Sequence, residues 1–158
     1  TGKTEVLHYT TVADVGTVGN KLAVDGQAYG GLSHSIGFAL TEDFFDIKKD
    51  KNMAVCGVPN IKDVPDDLNV MYLETARPRG PHGSSGCSEC FQSSGHMAVI
   101  NAINNAIGVR IYDLPARPAK VKAAWQAKQE GRELKPEKYY LGPDFEDALE
   151  EIANNPIG

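Results

Sequence analysis

The residues richest in chemistry lie in one run, Arg77-Pro78-Arg79-Gly80-Pro81-His82-Gly83-Ser84-Ser85-Gly86-Cys87-Ser88-Glu89. A Gly-, Ser- and Pro-rich segment delivers a single carboxylate, Glu89, to the start of an apolar, helix-forming run. Glycines let a backbone approach a ligand closely. Successive N–H groups ahead of a helix make an anion cradle. One acid beside such a cradle reads as a general base set against a phosphate-bearing cofactor, a role worth about 10²–10⁴ in rate. Residue type alone equally allows an acid placed at a helix N-terminus to suit the macrodipole.

The same run holds Cys87-Ser88-Glu89-Cys90, a C-x-x-C pair that reads as a redox centre or as two unpaired thiols. A zinc site would need two further ligands, and the spacing of His82 and His96 matches no standard site. Cys56 reads as a small buried apolar residue. Arg77, Arg79 and His82 are either phosphate partners or surface charges. His34 sits in Gly30-Gly31-Leu32-Ser33-His34-Ser35-Ile36-Gly37, and Gln27 follows Gly26. Each reads either as a hydrogen-bonded structural residue or as a ligand contact where the glycines allow close approach.

These residues must be carried by a small set of elements. Thr4 to Val12 reads as a strand ended by Asp14-Val15-Gly16. Asn20 is a cap for a long helix from about Lys21 to Glu42. The glycines Gly26, Gly30, Gly31 and Gly37 each cost that helix about 1 kcal/mol relative to Ala, so another backbone or a ligand is expected against it. Residues 43–67 read as loops with short strands, and Val70 to Glu74 as a strand. The clearest helix runs from about Ser93 to Ala106, with Val99, Ile100, Ile103 and Ile107 on one face and Gly108 as its stop. Val109 to Leu114 reads as a further strand. Pro118 opens a helix to about Gln129, and Asp144 to Asn154 forms a short acidic helix. Tyr139-Tyr140-Leu141 is expected to pack the tail onto the body. The order predicts a mixed α/β (α+β) unit with a glycine-rich helix packed on a small mixed sheet.

The chain has 158 residues, 41% apolar and 23% charged, an ordinary globular balance. Its net charge of -5 argues against nucleic acid as a partner. No run approaches the roughly 18 apolar residues of a membrane span. Three cysteines are too few for a disulfide framework, which favours a reducing, cytoplasmic setting. The start, Thr1-Gly2-Lys3, has neither an initiator Met nor a signal peptide's apolar core, so a cut fragment or processed subunit is expected.

At Gly26-Gln27-Ala28-Tyr29-Gly30-Gly31, at Gly86-Cys87-Ser88-Glu89 and at Ile111-Tyr112-Asp113-Leu114-Pro115-Ala116-Arg117-Pro118-Ala119-Lys120-Val121, the chain resembles the xanthine oxidase family of molybdenum hydroxylases. It looks nearest to the bacterial aldehyde oxidoreductase branch, in the C-terminal part of the molybdopterin-binding region. The resemblance runs from about Val6 to Ala127. It divides the chain into 1–132, the C-terminal part of a molybdopterin-binding domain, and 133–158, a tail with a short helix.

The resemblance implies that Glu89 is the base acting on a metal-bound hydroxyl, which attacks an aldehyde or N-heterocycle carbon. It implies molybdopterin with molybdenum as the cofactor, plain or as the cytosine dinucleotide, held without a direct protein ligand to the metal. Gln27 and the stretch from Gly30 to Ser35, with Gly31, Ser33 and His34, would lie along the cofactor. Ser85, Gly86, Cys87 and Ser88 would touch its pterin end. His34 stands where some members carry Gln. The 2Fe-2S clusters and the N-terminal molybdopterin domains would belong to the remainder of the enzyme, so the chain is expected to be inactive alone and to self-associate when isolated. Two other readings are a thiol redox module built on Cys87 and Cys90, and a non-catalytic assembly domain.

Overall fold

A computed structural model describes residues 1–135 and 144–155. Strand β1 (His8–Asp14) leads into helix α1 (Lys21–Leu40), and β2 (Asp67–Leu73) returns beside β1. The two strands pair in parallel, in a register running from His8↔Asp67 to Asp14↔Leu73. A parallel pair needs a long crossover, and α1 supplies it. Inward positions alternate with outward ones: Tyr9, Thr11 and Ala13 on β1 and Leu68, Val70 and Tyr72 on β2 face the helices.

Helices α2 (Gly95–Ile107), α3 (Pro118–Gln129) and α4 (Asp144–Asn154) follow. Asn20 caps α1 as expected, its Oδ1 accepting from Ala23 N at 3.1 Å. Gly108 closes α2 in the left-handed conformation, φ 68°, and Pro118 opens α3 at its first turn. One core gathers Tyr9, Leu32, Ala39, Val99, Ile100 and Ile103, and receives Val121 and Ala124 from α3. A second, around Val15, Val24, Ala28 and Phe91, joins the first half of α1 to the segment ahead of α2.

The fold class is the expected one, a glycine-rich helix against a small sheet, and that sheet has two strands among the described residues. The expected strand at Val109 to Leu114 does not form. This segment buries Ile111 and runs to the end of α1, where Ala116 N–H donates to Ala39 O. It meets a helix terminus rather than a strand edge, so its extended sequence finds no ladder. Cys56 is partly exposed rather than buried. The Tyr139-Tyr140-Leu141 cluster lies outside the described residues. Among those described, no helix is long and apolar enough to cross a membrane.

Candidate functional site

Glu89 opens a single 3-10 turn, Glu89–Phe91, between the glycine-rich loop and α2. Its carboxylate is exposed, and what fixes it is the rest of the turn. Phe91 is buried to 2% exposure and stacks edge-on against Tyr72, centroids 6.3 Å apart. Gln92 is held twice by α1. Ser35 Oγ donates to its carbonyl at 3.2 Å, and His34 Nδ1 meets its side-chain Oε1 at 2.9 Å. The partner is a carbonyl oxygen, so Nδ1 is the donor. Gly31 completes the clamp: a Cβ there would stand 2.7 Å from Phe91 Cβ. Sequence reading singled out Gly31, His34 and Ser35 as lying along a cofactor but missed Phe91 and Gln92; Ser35 is instead fully buried, with its hydroxyl on the Gln92 carbonyl.

Gly26 and Gly30 behave differently. They are four apart, hence on one face, and a Cβ at either would meet nothing within 4 Å. Gln27, Ser33 and His34 flank the same face. Among the described residues no packing explains the cost of these two helix glycines, and they leave a strip of bare backbone.

The loop ahead of Glu89 is stitched to the end of β1. Thr17 N and Arg77 N both donate to Gly83 O, at 3.0 and 2.9 Å. Ser84 Oγ donates to Thr17 O at 2.6 Å, and Ser85 N donates to Val15 O at 3.0 Å. The Ser85 N–H is therefore already used and cannot serve an anion. Among the described residues the N–H groups of Gly86, Cys87 and Ser88 have no partner, and a Cβ on Gly86 would meet nothing within 4 Å. These are three successive free backbone donors directly before Glu89.

The charges read as phosphate partners divide. The Arg77 guanidinium turns to Asp14, 3.3 Å away, while Arg79 and His82 are exposed. Asp14 Oδ1 accepts from Gly16 N at 3.1 Å and Thr75 N at 3.2 Å. The Gly16 bond, then Thr75, and least the nearby Arg77, hold its carboxyl below the usual carboxylate range. Cys87 and Cys90 are unpaired, and Cys90 Sγ rests on Cys87 O at 3.4 Å. Burial, then the neighbouring Cys87, pushes the Cys90 thiol up, the opposite of what a reactive thiolate needs. Among the described residues no three His, Cys, Asp or Glu side chains converge on a metal position.

Comparisons with known proteins cover α1 and, by their extent, most of the chain. The family model described as "Molybdopterin cofactor-binding domain" matches residues 1–65, which include β1 and the whole of α1. The chain is 52% identical over 127 residues to the aldehyde oxidoreductase of Megalodesulfovibrio gigas, a match covering 80% of this chain and 14% of that enzyme. The chain belongs to the xanthine oxidase family of molybdenum hydroxylases. It is also 27% identical to the putative xanthine dehydrogenase molybdenum-binding subunit of Escherichia coli, over 75% of this chain and 16% of that subunit. Among solved structures, the aldehyde oxidoreductase of Desulfovibrio desulfuricans superposes with TM-score 0.75 at 50% identity, covering 78% of this chain and 14% of that one. The chain thus spans about one seventh of the length of the aldehyde oxidoreductases it matches.

Family membership calls for a molybdopterin cofactor, and the residues present fit one. The bare strip at Gly26 and Gly30 has room for a flat ring system. The Gly86–Ser88 N–H groups suit its anionic groups.

Proposed function

We propose that the chain forms one wall of the molybdopterin site in a molybdenum-dependent aldehyde oxidoreductase and supplies its base, Glu89. The net reaction is aldehyde plus water to carboxylic acid, two protons and two electrons. The bound cofactor would supply the redox centre that accepts the electron pair. Glu89 would take one proton on a carboxylate oxygen as water's oxygen adds to the carbonyl carbon. His34, Ser35 and Gly31 would hold Glu89 in place by clamping Phe91 and Gln92 to α1. Gln27, Gly30 and Ser33 would line the cofactor along the helix. Gly86, Cys87 and Ser88 would bind its pterin end, with Ser85 fixing the loop rather than touching the ligand.

The observation that carries this reading is the clamp: the only acid in the glycine-rich run is anchored to the helix that bears the bare glycine strip. The 52% identity to an aldehyde oxidoreductase supports aldehyde over N-heterocycle as substrate. On the same reading the remainder of the enzyme contributes the 2Fe-2S clusters and the other cofactor contacts, the cofactor is molybdopterin, plain or as the cytosine dinucleotide, and the setting is cytoplasmic.

Glu89→Gln in the assembled enzyme tests the role. It keeps shape and polarity but cannot take the proton. Aldehyde turnover is expected to fall about 10²–10⁴-fold with molybdenum content unchanged. Turnover within a few-fold of the parent would remove Glu89 from the chemistry.

A further inference from the structure

A groove of about 840 Å³ lies between the N-terminal segment, α2 and α3. Ala98, Ala102 and Ala106 form a row along it, and Trp125 of α3 stands at its side. The three alanines are exposed, and Trp125 is 49% exposed. Alanines four apart share one helix face, and small side chains there let a second helix come within about 8 Å, axis to axis. The groove carries Lys3 and Lys122 against one acid, Glu5.

Helix α4 has the complementary surface. Its Phe145, Leu149 and Ile152 follow i, i+4, i+7 spacing and form one ridge, and all three are exposed. Asp147, Glu150 and Glu151 occupy other sides, and its 11 residues include no Lys or Arg. Helix α3 is the reverse, with Lys120, Lys122 and Lys128 and no acid. Residues 130–143 connect α3 to α4 and reach roughly 45 Å at full extension. Helix α3 is only about 18 Å long, so α4 can fold back along it.

We infer that α4 docks into this groove of its own chain. Its Phe145–Leu149–Ile152 ridge lies on the alanine row and against Trp125, with Glu150 and Glu151 to either side, where the long side chains of Lys122 and Lys3 on the groove walls can reach them. The tether favours this occupant over a second copy, because a short linker holds α4 at an effective concentration in the millimolar range. The inference is independent of the cofactor reading.

Zero-length carbodiimide cross-linking of the full chain in its native assembly, followed by peptide mapping, is the test. The expected product joins Lys122 or Lys3 to Glu150 or Glu151 within one polypeptide, established by mixing isotope-labelled and unlabelled protein. Leu149→Asp should abolish these links, while Leu22→Asp, at a surface leucine on α1, should leave them intact. The inference is overturned if the α4 acids link only to lysines away from the groove, to a second copy or to another polypeptide. It is equally overturned if they give no link, or if the links survive Leu149→Asp.

Discussion

Gly30 and Gly31 are adjacent in sequence and meet opposite surroundings. A methyl group on Gly30 enters open space, whereas one on Gly31 collides with Phe91. Gly30→Ala should therefore raise the stability of the chain without its cofactor, by up to about 1 kcal/mol, seen as a higher urea midpoint. Gly31→Ala should lower stability and, in the assembled enzyme, lower turnover by moving the turn that carries Glu89. Equal effects at the two positions would contradict the division between a bare strip and a packed contact. This division was not legible in the sequence. Four glycines in one helix announce that something lies close, but which of them face solvent depends on where residues 91 and 92 return, and that is a tertiary fact.

At the scale of elements, the site rests on how the 77–88 loop is tied to the end of β1. Asp14 is the knot, with Gly16 N, Thr75 N and Arg77 all on one carboxylate oxygen. A carboxyl whose folded pKa is depressed adds stability that is present above the unfolded value, about 3.9. That stability is lost as the pH falls through the lower folded value. Acid titration below about pH 4 should loosen this loop, seen as faster amide exchange at Gly16 and Thr75. Asp14→Asn should show the faster exchange already at neutral pH, with a weaker dependence on acid. A parent protein whose exchange at these two amides follows only the chemical pH dependence would contradict this role for Asp14.

Phe91 is the other anchor, and Phe91→Ala should cost about 3–5 kcal/mol as read by denaturant unfolding. A loss under 1 kcal/mol would mean that the turn is held by its hydrogen bonds alone. The helices were legible because their ends carry local chemistry: Asn20, Gly108 and Pro118 each act within one turn. The segment Val109 to Leu114 was misread because a strand is defined by its neighbour, and the propensity of Val, Ile and Tyr says nothing about which backbone will be adjacent.

For the whole molecule, the family was legible in three short motifs whose order and spacing carry more information than any one of them. The candidate site is a shared one: α1 and β1 both pack against the turn at Glu89, and the 77–88 loop is bonded to the residues just after β1, though these parts are scattered through the first 92 residues. What the sequence concealed is that His34 serves this arrangement through Gln92, and that Ser85 spends its N–H on Val15. The central claim is that the bare glycine strip of α1 seats the molybdopterin. The most direct measurement is molybdenum per polypeptide, by elemental mass spectrometry, in the purified native assembly of the parent and of Gly30→Leu. Leucine favours a helix, and its Cβ meets nothing within 4 Å there among the described residues, so the fold should persist, as circular dichroism would verify. The account predicts that Gly30→Leu keeps its fold and loses most of its molybdenum. A folded Gly30→Leu assembly with its full complement of molybdenum would contradict it.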